Sequence, residues 1–361
     1  MKKSIIQVLK FLAFFLVGLL LLWLAFRNIN FTNLGKGLKE ANYFWLILAI
    51  FFAFLAYVSR ARRWVLLIHP LGYKPSLKNT FYSMMTGYLA NIALPRIGEV
   101  SKCVALGKKE KIPVDQLIGT VVIERTIDFL SLLVIMVLMI IIDGKIVGPF
   151  LLNNIYQPIQ QGLSDYFGAA WIFWAILSFS CILLLFLLFI FKEKLRKIRL
   201  FAKIFDIARG VIQGLKTITV IERKWEFIFH TLFIWINYTL MTWVVVFAVK
   251  STSHLDLSDG IFLLVIGGLA MSAPVQSGIG AFHFIISRGL FVVYGISLED
   301  GLVYAILSHE SQLVFGAILG AYSFYALFRK KQNPKSPEVF KIKQPPIPSR
   351  LSGTGSEGGL I

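Results

Sequence analysis

Residues 81–102 read FYSMMTGYLANIALPRIGEVSK, and whether the apolar part of this stretch crosses a membrane decides the topology of the whole chain. The apolar segment 80–94 ends at Leu94-Pro95-Arg96 and runs directly into the basic segment 96–111. A transmembrane helix needs about 20 apolar residues to cross roughly 30 Å of hydrocarbon, so this segment is short for a span.

The charges on either side choose between the readings, because cytoplasmic loops are enriched in lysine and arginine. Residues 60–78 contain Arg60, Arg62, Arg63, Lys74 and Lys78, and residues 192–224 contain ten basic residues against three acidic ones. Both are expected inside. If 80–94 were a full span, segment 96–111 would lie outside and the ten-residue cluster would follow it there. A re-entrant or half-helix element that turns at Leu94-Pro95-Arg96 and returns through 97–111 keeps all three inside. The same parity makes 261–273 and 281–294 a second hairpin, entering from the opposite side. Its break is Ser272-Ala273-Pro274-Val275-Gln276-Ser277-Gly278-Ile279-Gly280, which carries no charge. Irregular backbone at membrane depth persists only where protein or a water-filled cavity satisfies it. Two such elements from opposite sides point to an inverted repeat with a substrate site between them. The competing reading is two ordinary short spans joined by a cytoplasmic turn at 274–280.

Of 361 residues, 57% are hydrophobic and 16% charged, far from the balance of a soluble domain. The apolar runs are long and lack the ten-residue alternation of a membrane barrel. The expected fold class is therefore all-α: a polytopic helical membrane bundle with about six full spans plus the two broken elements. The spans fall at about 8–26, 43–59, 116–142, 171–191, 226–249 and 301–328. The first follows Lys2, Lys3 and Lys10 but is long for a signal peptide and has no small-x-small site after it, so it reads as an uncleaved anchor. Both termini are then expected in the cytoplasm, with the chain in the inner (cytoplasmic) membrane. Domain 1–330 holds all the spans. Residues 331–361 contain five prolines and a Ser-Gly-rich end, the composition of a disordered tail.

The net charge of +18 sits in short segments between apolar runs, which argues against nucleic acid and for topology and anionic lipid headgroups. Segment 192–224 fits plain positive-inside topology, with an interfacial amphipathic helix as the alternative. Cys103 and Cys181 are far apart and imply neither a disulfide framework nor a metal site. No cofactor is expected. The sequence leaves the oligomeric state open, a homo-oligomer included.

Polar residues inside apolar runs are costly and mark candidate sites. Four groups stand out. In the first, Asn91 to Lys102, proline and glycine end a helix beside Arg96, Glu99 and Lys102, leaving backbone groups and charges that could grip a phosphate. In the second, Glu124, Arg125 and Asp128 have the spacing to share one helical face. Their two anions and one cation leave a negative excess that invites Arg96, Lys102, a proton or a metal ion. In the third, the break at 274–280, which includes Ser277, precedes His283 and Arg288, and Gly278 and Gly280 would let a headgroup approach the backbone. The fourth is Ser308-His309-Glu310-Ser311-Gln312, where His309 or Glu310 could accept or relay a proton. Ordinary turns and structural ion networks are the competing readings. No zinc-protease, nucleophile-elbow, P-loop or dinucleotide motif occurs, so no catalytic residues are assigned and the chain is not expected to be an enzyme.

Three motifs in register resemble those of the lysylphosphatidylglycerol synthase transmembrane-region family, also called flippase-like integral membrane proteins. They are Asn91-x-x-x-Pro95-Arg96-x-Gly98-Glu99-x-x-Lys102, Glu124-Arg125-x-x-Asp128 and Pro274-x-x-Ser277-Gly278-Ile279-Gly280. The resemblance covers about residues 5–330. It departs at Lys102, where the family often has arginine, at Gln276-Ser277-Gly278, where Pro-Gly-Gly is usual, and at His283, commonly glutamate. Members that make lysylphosphatidylglycerol carry a large soluble transfer domain, and the short tail here leads us not to expect that synthesis. The resemblance implies movement of an amphiphilic lipid, anionic or lipid-linked to a sugar, between leaflets. Membrane lipids are then the partners. On this reading Asn91, Arg96, Glu99, Lys102, Glu124, Arg125, Asp128, Ser277, Gly278, Gly280 and Arg288 bind substrate, and His283, His309 and Glu310 couple protons. Rival functions are a membrane-embedded transferase for a polyprenyl-phosphate sugar and a non-transporting interaction protein.

Overall fold

The computed structural model describes residues 15–27, 29–93, 97–142, 221–273 and 275–329. The expected span 171–191, most of segment 192–224, the tail 331–361, Cys181, Pro95, Arg96 and Pro274 lie outside the described residues.

The described residues form helices and no strand. They are α1 (Phe15–Phe26), α2 (Phe31–Glu40), α3 (Phe44–Ile68), α4 (Leu77–Ala93), α5 (Ile97–Glu110), α6 (Val114–Ile142), α7 (Lys224–Val244), α8 (Leu257–Met271), α9 (Ala281–Tyr294) and α10 (Leu298–Phe328). Among these residues four stretches are long and apolar enough to cross a membrane: Phe44–Leu71, Lys224–Ala248, Gln276–Tyr294 and Leu298–Phe328. The bent pair α1 and α2, which meet at 88°, would add a fifth if they formed one span. Helix α6 is 29 residues long but carries Asp115, Glu124, Arg125 and Asp128 in its first half. The described span count is thus four to five against an expected six. The chain is a multi-pass helical membrane protein.

Local signals explain where several helices start and stop. Asp256 caps α8 by accepting the amides of Ser258 and Asp259, while the Asp259 carboxylate accepts the Asp256 amide, a reciprocal box. Asn30 caps α2 through the amides of Thr32 and Asn33, and Ser297 caps α10. Helix α2, which the apolar-run reading missed, is amphipathic and lays Gly37 against Val303 of α10.

Helices α4 and α5 form an antiparallel hairpin. Glu110, at the end of α5, accepts from Ser76 and Asn79 at the start of α4. Near the other end Gly87 and Gly98 bring the two backbones together, and a Cβ on Gly87 would lie 2.6 Å from the Gly98 carbonyl oxygen. Helices α8 and α9 make the second hairpin, with Phe262 against Tyr294 at one end and Gly267 against Phe282 at the other. Its second arm, together with the turn Gln276–Gly278, is 19 residues long, a spanning length where a half-length element was expected. The positive φ angles of Ser277, Gly278 and Gly280 nonetheless break it.

Both hairpins lie along α10. Gly301 packs on Ser287 of α9, and Gly320 packs on Met85 and Leu89 of α4. The start of α4 reaches the far end of α10, with Tyr82 against Tyr322. The hairpins therefore approach from opposite ends of α10, and their tips meet between: the Ser277 hydroxyl donates to the Asn91 carbonyl at 3.3 Å.

Candidate functional site

The four sequence groups collapse into two centres. The first joins α5 and α6 to residues expected in a cytoplasmic loop. Helix α3 runs on to Ile68, nine residues past the expected boundary at 59, so that Arg60, Arg62 and Arg63 belong to the helix rather than to the loop 60–78, with Arg60 and Arg63 buried. The apolar run Trp64-Val65-Leu66-Leu67-Ile68 after the arginines was the signal for this continuation.

Glu124 lies at the middle of this centre, 1% exposed, accepting from Arg60 at 2.7 Å and from Lys102 at 2.6 Å. Asp128, one turn further along α6, accepts from Arg60 at 2.9 Å and also from Arg63. The Tyr238 hydroxyl accepts from Arg60 at 2.9 Å, and the Lys102 ammonium sits 4.4 Å above the Trp64 ring. A carboxylate buried as deeply as that of Glu124 is tolerable only when it is paired and hydrogen-bonded.

Two features correct the sequence reading, and a third adds to it. Arg125 does not share the face of Glu124 and Asp128; it is 43% exposed and pairs with Glu99 at 3.2 Å. The expected excess of negative charge is an excess of positive charge, because Arg60, Arg63 and Lys102 surround two acids. Arg60 Nε and Arg63 Nε and Nη1 are buried and have no hydrogen-bond partner among the described residues.

The second centre joins the third and fourth groups. His309 of α10 places Nε2 2.8 Å from the Ser277 carbonyl oxygen and Nδ1 3.0 Å from Glu310 Oε1. His283 of α9 places Nε2 3.4 Å from the same Glu310 oxygen. Both histidines are buried and the Glu310 side chain is 38% exposed. Arg288 is not part of this centre; its guanidinium lies over the Phe284 ring. The glycines of the break do not leave room for a headgroup either. A Cβ on Gly278 would strike Met271, and one on Gly280 would strike the α1 backbone at Gly18 and Leu22. Their small size serves the packing of α1 and α8 on the tip.

Asn91 links the two centres. Its side chain accepts the Gly98 amide at 2.7 Å, closing the first hairpin near the start of α5, while its own carbonyl accepts from Ser277. The role observed for it is structural, one the motif alone did not reveal.

Comparison with known proteins agrees with a membrane protein. A "UPF0104 membrane protein" of Methanocaldococcus jannaschii is 29% identical over 126 residues, covering 34% of this chain and 38% of that relative. The match thus spans well under half the length of the relative. No solved structure matches the chain. Residues 9–320 match the family model described as "Lysylphosphatidylglycerol synthase TM region", and with most of its length accounted for in this way the chain belongs to that family.

Proposed function

We propose that this protein moves an anionic phospholipid or a lipid-linked sugar phosphate between leaflets, without hydrolysing ATP and without transferring a group. The observation that carries the reading is the buried centre in which three cations face two acids and three guanidinium nitrogens are unused as donors among the described residues. A phosphate is the ligand such a centre lacks: it brings the missing negative charge, and its oxygens accept from arginine in a fork geometry. The centre lies beside the Gly87–Gly98 contact of the first hairpin, through Lys102. Broken elements of this kind are the parts that rearrange in alternating access. A headgroup could pass along this polar seam while its acyl chains stay in the bilayer. Arg125 and Glu99, paired and more exposed, stand where an approaching headgroup would exchange partners with them.

The test is leaflet exchange of fluorescent anionic lipids in liposomes containing the purified protein, with a zwitterionic lipid as control. Protein-dependent exchange that falls in Arg63→Gln supports the reading. Equal exchange with and without protein, across anionic phospholipids and polyprenyl phosphates, removes it. A transferase would instead consume a sugar donor in the same vesicles.

A further inference from the structure

We propose that His283, His309 and Glu310 bind a divalent transition metal ion such as Zn²⁺, pinning the tip of the second hairpin to α10. The inference goes beyond the lipid reading and does not depend on it.

The three donor atoms lie within 4.8 Å of one another. Two edges of their triangle, His309 Nδ1 to Glu310 Oε1 at 3.0 Å and His283 Nε2 to the same oxygen at 3.4 Å, bracket the edge of about 3.3 Å that tetrahedral Zn²⁺ sets with bonds near 2.0–2.1 Å. The remaining edge needs to contract by at most about 1.5 Å, within reach of small side-chain rotations.

Hydrogen bonding around His309 points the same way. The Ser277 carbonyl can only accept, so Nε2 carries a hydrogen and donates to it at 2.8 Å. In a neutral ring Nδ1 then presents its lone pair to the Glu310 carboxylate, and two acceptors facing each other repel. A proton on that line resolves one contact. A cation resolves both edges at once, since His283 Nε2 faces the same oxygen. The Nε2–H···O=C bond is also the outer partner that metal-bound histidines regularly use to fix tautomer and ring orientation. Two imidazoles and one carboxylate suit Zn²⁺ or its first-row neighbours rather than Mg²⁺ or Ca²⁺, which favour all-oxygen sites. Three protein ligands leave a fourth position, and the partial exposure of Glu310 gives it a way in. The sequence reading assigned no metal site; His283 and His309 lie 26 residues apart, on different helices.

The test uses the full chain purified without a histidine tag, stripped with EDTA and titrated with Co²⁺, whose visible bands report nitrogen ligation and low coordination number. The expected result is about one equivalent bound per chain and displaced by Zn²⁺. Glu310→Gln and His309→Asn should each bind at least about 100-fold more weakly, beyond what loss of an outer partner alone does. His69→Ala, which removes a histidine outside the cluster, should bind as the wild type does. Zn²⁺ should raise the thermal midpoint of the wild type and not that of Glu310→Gln. The wild type alone also decides the matter: if it takes up no Co²⁺, or gives only six-coordinate oxygen-type spectra, the proposal is wrong and the cluster is a shared-proton ion pair.

Discussion

Replacing Glu124 with Gln removes one of two acids from among three buried cations while leaving the side-chain volume almost unchanged. Glu124 bonds Arg60 at 2.7 Å and Lys102 at 2.6 Å, with Arg63 at 3.9 Å. The formal charge of Arg60, Arg63, Lys102, Glu124 and Asp128 rises from +1, three cations less two acids, to +2. The amide oxygen still accepts one N–H, but the amide NH₂ then points a donor at a second cation. Breaking a buried pair in this way costs about 3–5 kcal/mol, a large part of the roughly 5–15 kcal/mol that usually holds a fold. Cys103, fully buried beside Lys102, offers the readout. With Cys181→Ser it is the only thiol in the chain, and its maleimide labelling in detergent tracks the open population. The expected acceleration is roughly 100- to 4,000-fold. Adding Lys102→Met to Glu124→Gln restores the charge to +1, so the double variant should label more slowly than Glu124→Gln by about tenfold or more. Labelling of Glu124→Gln that speeds up less than tenfold, or a double variant that shows the product of the two single effects, would refute the electrostatic account.

Other outcomes follow from the same geometry. Gly87→Ala should force α4 and α5 apart and cost about 1–3 kcal/mol, whereas Gly119→Ala, with open space around its Cβ, should be neutral or stabilising by up to about 1 kcal/mol; thermal unfolding in detergent compares them. Asp256→Ala should cost about 1 kcal/mol through the lost cap. The amides of Asp259 and Ser258 and the Ser258 hydroxyl hold the Asp256 carboxyl below its ordinary pKa. Its stabilisation is therefore complete above the unfolded value, near 3.9, and is lost as pH falls through the lower folded one; an unfolding series below pH 5 should lose this dependence in the variant. Arg63→Gln should slow anionic-lipid exchange at least about tenfold, in keeping with a charge-assisted bond of about 1.5–3 kcal/mol, while Arg62→Gln, which only releases Glu226, should leave it within a factor of about two.

How much of this was legible in the sequence differed by element. The ranges expected for the short segments 80–94, 261–273 and 281–294 appear as α4, α8 and α9, and the return through 97–111 appears as α5. Hydrophobic run length and the placing of proline and glycine are local properties, so they survive translation into helices. The boundary at 59 failed because a charge count treats every arginine as a loop residue, and only the acids of α6 make Arg60 and Arg63 tolerable inside a helix. Helix α2 was missed because its ten residues are amphipathic and too few to register as an apolar run.

Composition and spacing along the chain suffice to make this a helical membrane protein, to break two of its hairpins at Pro- and Gly-containing stretches, and to mark which polar residues lie within apolar runs. Which of those residues meet is a matter of packing. In the folded bundle Arg125 turns away from Glu124, Lys102 pairs with Glu124 as one of the cations the spacing invited, and Arg60 and Arg63 come in as well. His283 stands beside His309 and Glu310, while Gly278 and Gly280 close against Met271 and α1. The reason is physical: the sign of a buried site and the number of ligands around a point are sums over helices that lie far apart in sequence, and packing alone sets which helices enter the sum.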